Sequence, residues 1–313
     1  MSDALLRAIR DVIQVDVNQR GLAADPEANL VNACPDDFAA ACRSIAETPK
    51  PGLCVVTGFY IPHADPPAGE TDGPLGALFL ARALTPLGIR VAFATDPFCF
   101  AALKAGLEAT GLSPSIPIVG LYEGLNAALF LYYFSRDKPA YFPLTHFVAL
   151  ERVGPSSDGR CYSMHGRDIT DKMAPAHELF EREYDEDYTH LSTIGIGDGG
   201  NEIGMGKIPW DVIRRNIPNG GLIACRVPTD HLIVCGVSNW GAYALAAGVA
   251  LLRGTKLDPS LFDVEREREL LRIMVEQGPL VDGVTGKPTV SVDGLPFDQY
   301  IRPLLQIREI LGW

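Results

Sequence analysis

The sequence predicts an α/β fold: a largely parallel, doubly wound sheet with helices on both faces. Two observations predict it. Short apolar runs closed by Gly or Asp alternate with longer segments of helical pattern, the βαβ repetition that generates a parallel sheet. In addition, the glycine-rich stretch Gly195–Gly206 lies between the end of an apolar run and a segment that opens with Pro209. Strand, glycine loop and helix in that order is how open α/β sheets build sites at the carboxyl ends of their strands. The 313 residues suffice for one large α/β domain or two smaller ones. No linker is long or polar enough to mark a boundary, so one domain over residues 1–313 is expected. The polar, less regular stretch 156–190 reads as an inserted subdomain or a lid.

Taken in order, Met1 to Asp16 places Leu5, Leu6, Ile9, Val12 and Ile13 on one helical face. Its acids Asp3, Asp11 and Asp16 are unlike a transit peptide, so a packed helix of a cytoplasmic protein is expected. Gly52–Thr57 is a buried strand ending at Gly58, and Gly73–Leu87 is a helix with Pro74 near its start. Ile89–Ala94 is a second strand, closed by Thr95 and Asp96, and Phe98–Thr110 a second helix. Further strands are expected at Ile116–Val119, Phe147–Val153, Leu222–Val227 and Leu232–Val237, with one ending at Leu191–Ile194. A helix opens at Pro209–Ile213, and another is expected over Gly241–Leu252.

Composition excludes several classes. A net charge of −12 opposes nucleic acid or anionic membrane as the main partner. The same charge suits a cation-binding cavity, although surface carboxylates alone also produce it. No apolar run approaches the roughly 20 residues that span a bilayer. Seven cysteines contain no CxxC pair and several sit in apolar runs, which favours a reducing compartment and opposes disulfides or a zinc knuckle. The histidines at 146, 165, 177, 190 and 231 show no metal-binding spacing, and there is no GxSxG elbow.

The glycine stretch Gly195-Ile-Gly-Asp-Gly-Gly-Asn-Glu-Ile-Gly-Met-Gly206 formally matches a dinucleotide fingerprint. That fingerprint offers bare amides and a helix N-terminus to a pyrophosphate, whereas here Asp198 and Glu202 would face the phosphates. A Walker A reading fails because Asn201 replaces the first glycine and Ile208 stands where a hydroxyl would bind magnesium. Carboxylate and carboxamide oxygens on a glycine backbone suit a hard divalent cation or a substrate amine, and the glycines would let a small ligand approach the backbone. The plainer alternative is a tight turn whose Asp and Asn cap the next helix.

Other polar groups fall at element ends. Glu70 and Asp72, in Glu70-Thr71-Asp72-Gly73-Pro74, either bind a cation or cap the helix that follows. Glu151-Arg152 ends an apolar run, and an acid beside a base suits an amino-acid zwitterion as well as a plain surface ion pair. Ser238-Asn239-Trp240-Gly241 offers anion donors or an ordinary cap. Asp282-Gly283-Val284-Thr285-Gly286 reads as a turn.

These segments, together with Ala149-Leu150-Glu151-Arg152 and Gly166-Arg167-Asp168, occur in an order that resembles the D-glutamate cyclase family over about Asp16 to Gly286. The resemblance implies conversion of D-glutamate to 5-oxo-D-proline with loss of water, and a divalent cation, Mg²⁺ or Mn²⁺, in an acidic cavity. On that reading Glu151, Asp198 and Glu202 are the candidate catalytic groups. Glu70, Asp72, Glu151, Asp198 and Glu202 are candidate cation ligands. Arg152, Asn201, Ser238, Asn239, Gly199 and Gly200 are candidates for holding the substrate. The expected partner is a small molecule, with homo-oligomerisation left open. The competing readings are a nucleotide- or NAD-binding oxidoreductase and a non-catalytic protein that captures an acidic amino acid or a cation.

Overall fold

The described chain, in a computed structural model, comprises residues 2–124, 130, 131, 134, 143–181 and 191–313. Its strands are β1 (Gly52–Thr57), β2 (Tyr60–Ile61), β3 (Ala68–Gly69), β4 (Arg90–Thr95), β5 (Ile118–Gly120), β6 (His146–Leu150), β7 (Ser192–Gly197), β8 (His231–Val234), β9 (Ser291–Val292) and β10 (Leu295–Pro296). Six of them form one sheet in the order β5-β4-β1-β6-β7-β8, every pair parallel. The chain runs outward from β1 to β5, returns to the other side of β1 and runs outward again to β8. This is the doubly wound order, and its reversal lies between β1 and β6, where such sheets open a crevice at their carboxyl ends.

Period-two alternation assigns the two faces. Leu53, Val55, Val91, Phe93, Val148, Leu150, Ile194, Ile196 and Ile233 enter one core, under the helices Ser2–Ile13, Asp37–Glu47, Pro74–Leu84, Ser238–Leu252 and Val264–Gln277. Cys54, Val56, Ala92, Ala94, Phe147, Ala149, Leu232 and Val234 enter the other, with Ile203, Met205, Ile213 and Ile217. Burial on both faces explains why the strands read as continuous apolar runs. Leu6, Ile9 and Ile13 of the predicted N-terminal helix are buried. All seven cysteines are free, and six are buried. Among the described residues no helix is long and apolar enough to cross a membrane.

Three expectations shift. Leu222–Val227 is not a strand: Gly220–Ile223 is a short helix. Beyond it the chain bonds to loop segments instead of the sheet, through Cys225 N–H to the Gly200 carbonyl, Arg226 N–H to that of Pro155, and Gly204 N–H to that of Val227. The helix expected from Gly241 begins at Ser238. The strand expected to end at Ile194 continues to Gly197, so Gly195 and Gly197 belong to the sheet. Of the stretch 156–190, residues 156–181 carry short 3₁₀ turns at Thr170–Lys172 and Ala176–Leu179. Residues 182–190, with His190, lie outside the described residues.

The strand glycines have a packing cause. Both lie on the face where their neighbours in sequence fold back over β7. A Cβ on Gly195 would lie 2.7 Å from the Gly204 Cα and from the Ile203 carbonyl oxygen, and backbone cannot yield as a flexible side chain can. Gly195→Ala is therefore expected to destabilise the protein by about 1–3 kcal/mol in urea unfolding, as overpacked cores do. A variant as stable as the parent would show that the loop can lift off the strand.

Candidate active site

Three carboxylates converge from three strand ends. Asp72 closes the loop after β1, Glu151 directly follows β6 and Asp198 directly follows β7. These strands are adjacent in the sheet, and the reversal point lies among them. Each of the three residues offers an oxygen such that all lie within 4.8 Å of one another, and all three residues are buried. Glu151 holds φ at +45°, a strained conformation for a residue with a Cβ and one that clusters at functional sites.

The N-termini of two helices lock the carboxylates in place. Asp72 accepts from Ser238 N–H at 2.8 Å through Oδ2 and from Asn239 N–H at 2.8 Å through Oδ1. Asn239 reciprocates: its Oδ1 accepts from Gly73 N–H at 2.9 Å and Gly76 N–H at 2.7 Å, while its Nδ2 donates to the Thr71 carbonyl. Each residue thus caps the other's helix. Ser238 donates its hydroxyl to Glu151 Oε2. Of the sequence alternatives for Asp72 and Asn239, capping is realised by both. Capping leaves Asp72 beside the other two acids, whereas the Asn239 carboxamide is occupied.

Glu202 has a separate task. Its Oε1 accepts from Asp198 N–H at 3.1 Å and Gly199 N–H at 2.6 Å, and its Oε2 accepts from Gly200 N–H at 2.8 Å. The loop's amides therefore face an internal carboxylate, which leaves a phosphate none of the donors that the fingerprint reading needs. Gly200 sits at φ +91°, which favours glycine. A Cβ on Gly199 would lie 2.6 Å from the Met164 sulfur. Asn201 donates to the Tyr162 carbonyl at 2.7 Å through Nδ2, and its buried Oδ1 has no partner among the described residues.

Arg152 is fully buried and does not reach the trio's carboxylates. Its guanidinium pairs with Asp96 and donates to the carbonyls of Gly58 at 3.1 Å and Ala174 at 2.7 Å. The cation at the acidic cluster is Arg20, which donates to Asp198 Oδ1 and pairs with Asp293 Oδ1 at 2.9 Å. Neither Arg20 nor Asp293 was among the sequence candidates. Arg20 lies in a loop without periodicity. Asp293-Gly294 joins β9 to β10 with φ of +54° and +75°, and Asp-Gly between Val292 and Leu295 is a strong hairpin signal that could have located it. The Asp282 loop braces this turn, with Oδ2 accepting from Gly294 N–H and from the Ser291 hydroxyl.

The cluster opens onto a cavity of about 330 Å³ whose lining includes Arg20, Glu70, Glu151 and Asp293. Burial, and next the neighbouring carboxylates, push the carboxyls of Glu70, Asp72 and Glu151 well above the usual range. Burial likewise raises Asp198, against the pull of Arg20. Among the described residues one guanidinium faces these acids and cannot neutralise them all, a charge balance that protons or a cation would complete. Asp198 Oδ2 and Asp293 Oδ2 are buried without partners among the described residues. Hard oxygen donors in this number fit a divalent cation such as Mg²⁺ or Mn²⁺.

A pH dependence follows. A carboxyl whose native pKa is raised above its unfolded value of about 4 stabilises the fold most below that value, and this contribution disappears as pH rises toward the native pKa. The cation-free protein should therefore melt lower at pH 8 than at pH 7. His146, which burial lowers to about 4, stays neutral across that window, whereas Glu267, which burial raises to about 7 against the pull of Arg82, adds to the fall in the same direction. Because a cation competes with protons for these oxygens, Mn²⁺ should raise the melting temperature more at pH 8 than at pH 6. Equal shifts at the two pH values would refute this electrostatic account.

Similarity to known proteins agrees with the geometry. The family profile described as D-glutamate cyclase-like, C-terminal, matches residues 9–308. The chain is 30% identical over 325 aligned residues to the mitochondrial D-glutamate cyclase of Homo sapiens, covering 96% of this chain and 51% of that protein. It thus spans about half the length of that relative.

Proposed function

From the premise that the chain belongs to the D-glutamate cyclase family, we propose that it converts D-glutamate to 5-oxo-D-proline and water, assisted by Mg²⁺ or Mn²⁺ held by Asp72, Glu151 and Asp198. The observation that carries the proposal is the meeting of these three buried carboxylates at the reversal point of the sheet. When bound, such a cation supplies Lewis acidity to the substrate's side-chain carboxylate and offsets the negative charge of the tetrahedral oxyanion.

The protein's own groups supply the rest. The substrate ammonium must lose a proton before its nitrogen attacks the side-chain carboxyl carbon, and the departing oxygen must gain protons to leave as water. Glu70, which lines the cavity with a raised carboxyl and is not one of the three proposed cation ligands, is suited to that exchange, because an acid–base group works best with its pKa near the working pH. Ser238 fixes the orientation of Glu151 through its hydroxyl. Walls such as Phe59, Ile61 and Val284 enclose the flexible substrate, and holding amine and carboxyl together removes much of the entropic barrier to ring closure.

The test is a chiral assay of 5-oxoproline from D- and L-glutamate, with and without EDTA. Product from the D-isomer alone, lost with EDTA and recovered with Mn²⁺ or Mg²⁺, is expected. No product from either isomer would overturn the reading. Ligand-induced thermal stabilisation without turnover would favour capture of an amino acid over catalysis.

A further inference from the structure

We propose that Arg20 is the anchor for the substrate's α-carboxylate, so that the site selects α-amino acids over ω-amino acids with the same spacing between amine and reacting carboxyl. The inference rests on the cyclase reading for its substrate class and on the local geometry for the residue.

Arg20 is held ready by its own loop. Asp16 accepts from the backbone N–H groups of Arg20 at 2.8 Å, Gly21 at 2.8 Å and Leu22 at 2.9 Å. Gly21, at φ +101°, packs so closely that a Cβ would lie 2.0 Å from the Asn216 carbonyl oxygen. The loop is thus pinned to itself and to the helix Trp210–Asn216, and its arginine enters the cavity with 14% of the side chain exposed. Among the described residues, the cavity lining contains no lysine and no other arginine.

Asp198 takes one N–H of Nη1, and Asp293 pairs with Nη2. The Nε hydrogen and one hydrogen on each Nη remain uncommitted among the described residues, enough for a two-point grip on a carboxylate. The acidic trio attracts the substrate's amine. In an α-amino acid, amine and carboxylate share one carbon, so their receptors must touch, and Arg20 touches Asp198. With the side-chain carboxylate directed to the cation that the trio would hold, three attachment points also distinguish the two enantiomers. Arg152, the alternative suggested by sequence, is fully buried against Asp96.

The test compares D-glutamate with 4-aminobutyrate, which can close the same five-membered lactam but lacks the α-carboxylate. Calorimetric binding in the presence of Mg²⁺ is measured for the parent, Arg20→Met and Arg20→Lys, with lactam formation followed in the same samples. The parent should bind D-glutamate on the order of 100-fold more tightly than 4-aminobutyrate, as a charge-assisted pair implies. Arg20→Met should reduce the preference to less than about fivefold, and Arg20→Lys, which keeps the charge against Asp198 and Asp293 but loses the fork, to about tenfold. An unchanged preference in both variants, or a parent that does not bind D-glutamate, would overturn the proposal. If the variants lose the preference but even the parent forms no lactam, the cyclase reading fails while the anchor stands. If lactam forms with an unchanged preference, the anchor fails while the cyclase reading stands.

Discussion

On the proposed function, Asp198→Asn should lower 5-oxoproline formation on the order of 10³-fold and remove the rise in melting temperature expected with Mn²⁺. Substitution replaces one anionic oxygen of the trio by an amide nitrogen without changing the size of the side chain. It leaves Oδ1 to accept from Arg20, whose second partner Asp293 is untouched. The fold should therefore survive. In the absence of cation the variant should even match or exceed the parent's melting temperature at pH 8, because one of several mutually repelling buried carboxyls has gone. Loss of activity without loss of stability separates a ligand from a structural acid. An active Asp198→Asn protein that still responds to Mn²⁺ would remove Asp198 from the site.

Glu202→Ala should have the opposite signature, a large loss of stability at every pH where the protein folds. The carboxylate satisfies the backbone amides of Asp198, Gly199 and Gly200. Truncation leaves three buried donors unpaired and a void beneath the loop. At about 1–3 kcal/mol for each orphaned group, a total of roughly 4 kcal/mol is expected, or a fall of about 6 °C in melting temperature for a chain of this size. Glu202→Gln keeps an accepting oxygen and should lose about half as much. Removing the charge also relieves repulsion on Glu151 and Asp198, so the sign of the change is informative. A stabilised Glu202→Gln would mean that repulsion outweighs the amide bonds.

The sheet was legible because both of its faces are buried, which turns each strand into an apolar run, and because helical segments separate the runs. Leu222–Val227 misleads for a physical reason. The segment is apolar and partly extended, but its backbone partners are Gly200, Pro155 and Gly204, and composition does not disclose the partner of an extended segment. Asp72, Glu151 and Asp198 could be found because each stands in a polar cluster between an apolar run and the element that follows it, where a cap or an ion pair is the ordinary alternative. The division of labour between Asp198 and Glu202 was hidden: both are acids in one glycine loop, and only the fold shows Glu202 turned back onto the loop's own amides. The Gly195–Gly197 spacing was misleading too, since it arises from a strand face covered by its own loop. Arg20 acts from a loop more than a hundred residues from the acids it meets, where no periodicity marks it. Arg152, beside Glu151 in sequence, points to Asp96 because successive residues at a strand end face different ways.

The three trio acids stand at positions 72, 151 and 198 and meet only because β1, β6 and β7 lie side by side. No hairpin, helix pair or single βαβ unit contains them all. Closing such widely separated contacts comes at the expense of much loop entropy and is slow. During refolding, affinity for Mn²⁺ should therefore emerge late, after helical signal and bulk collapse, and with the final tertiary register. The ion would serve as a kinetic reporter of the last ordering event, one that partially assembled chains cannot imitate.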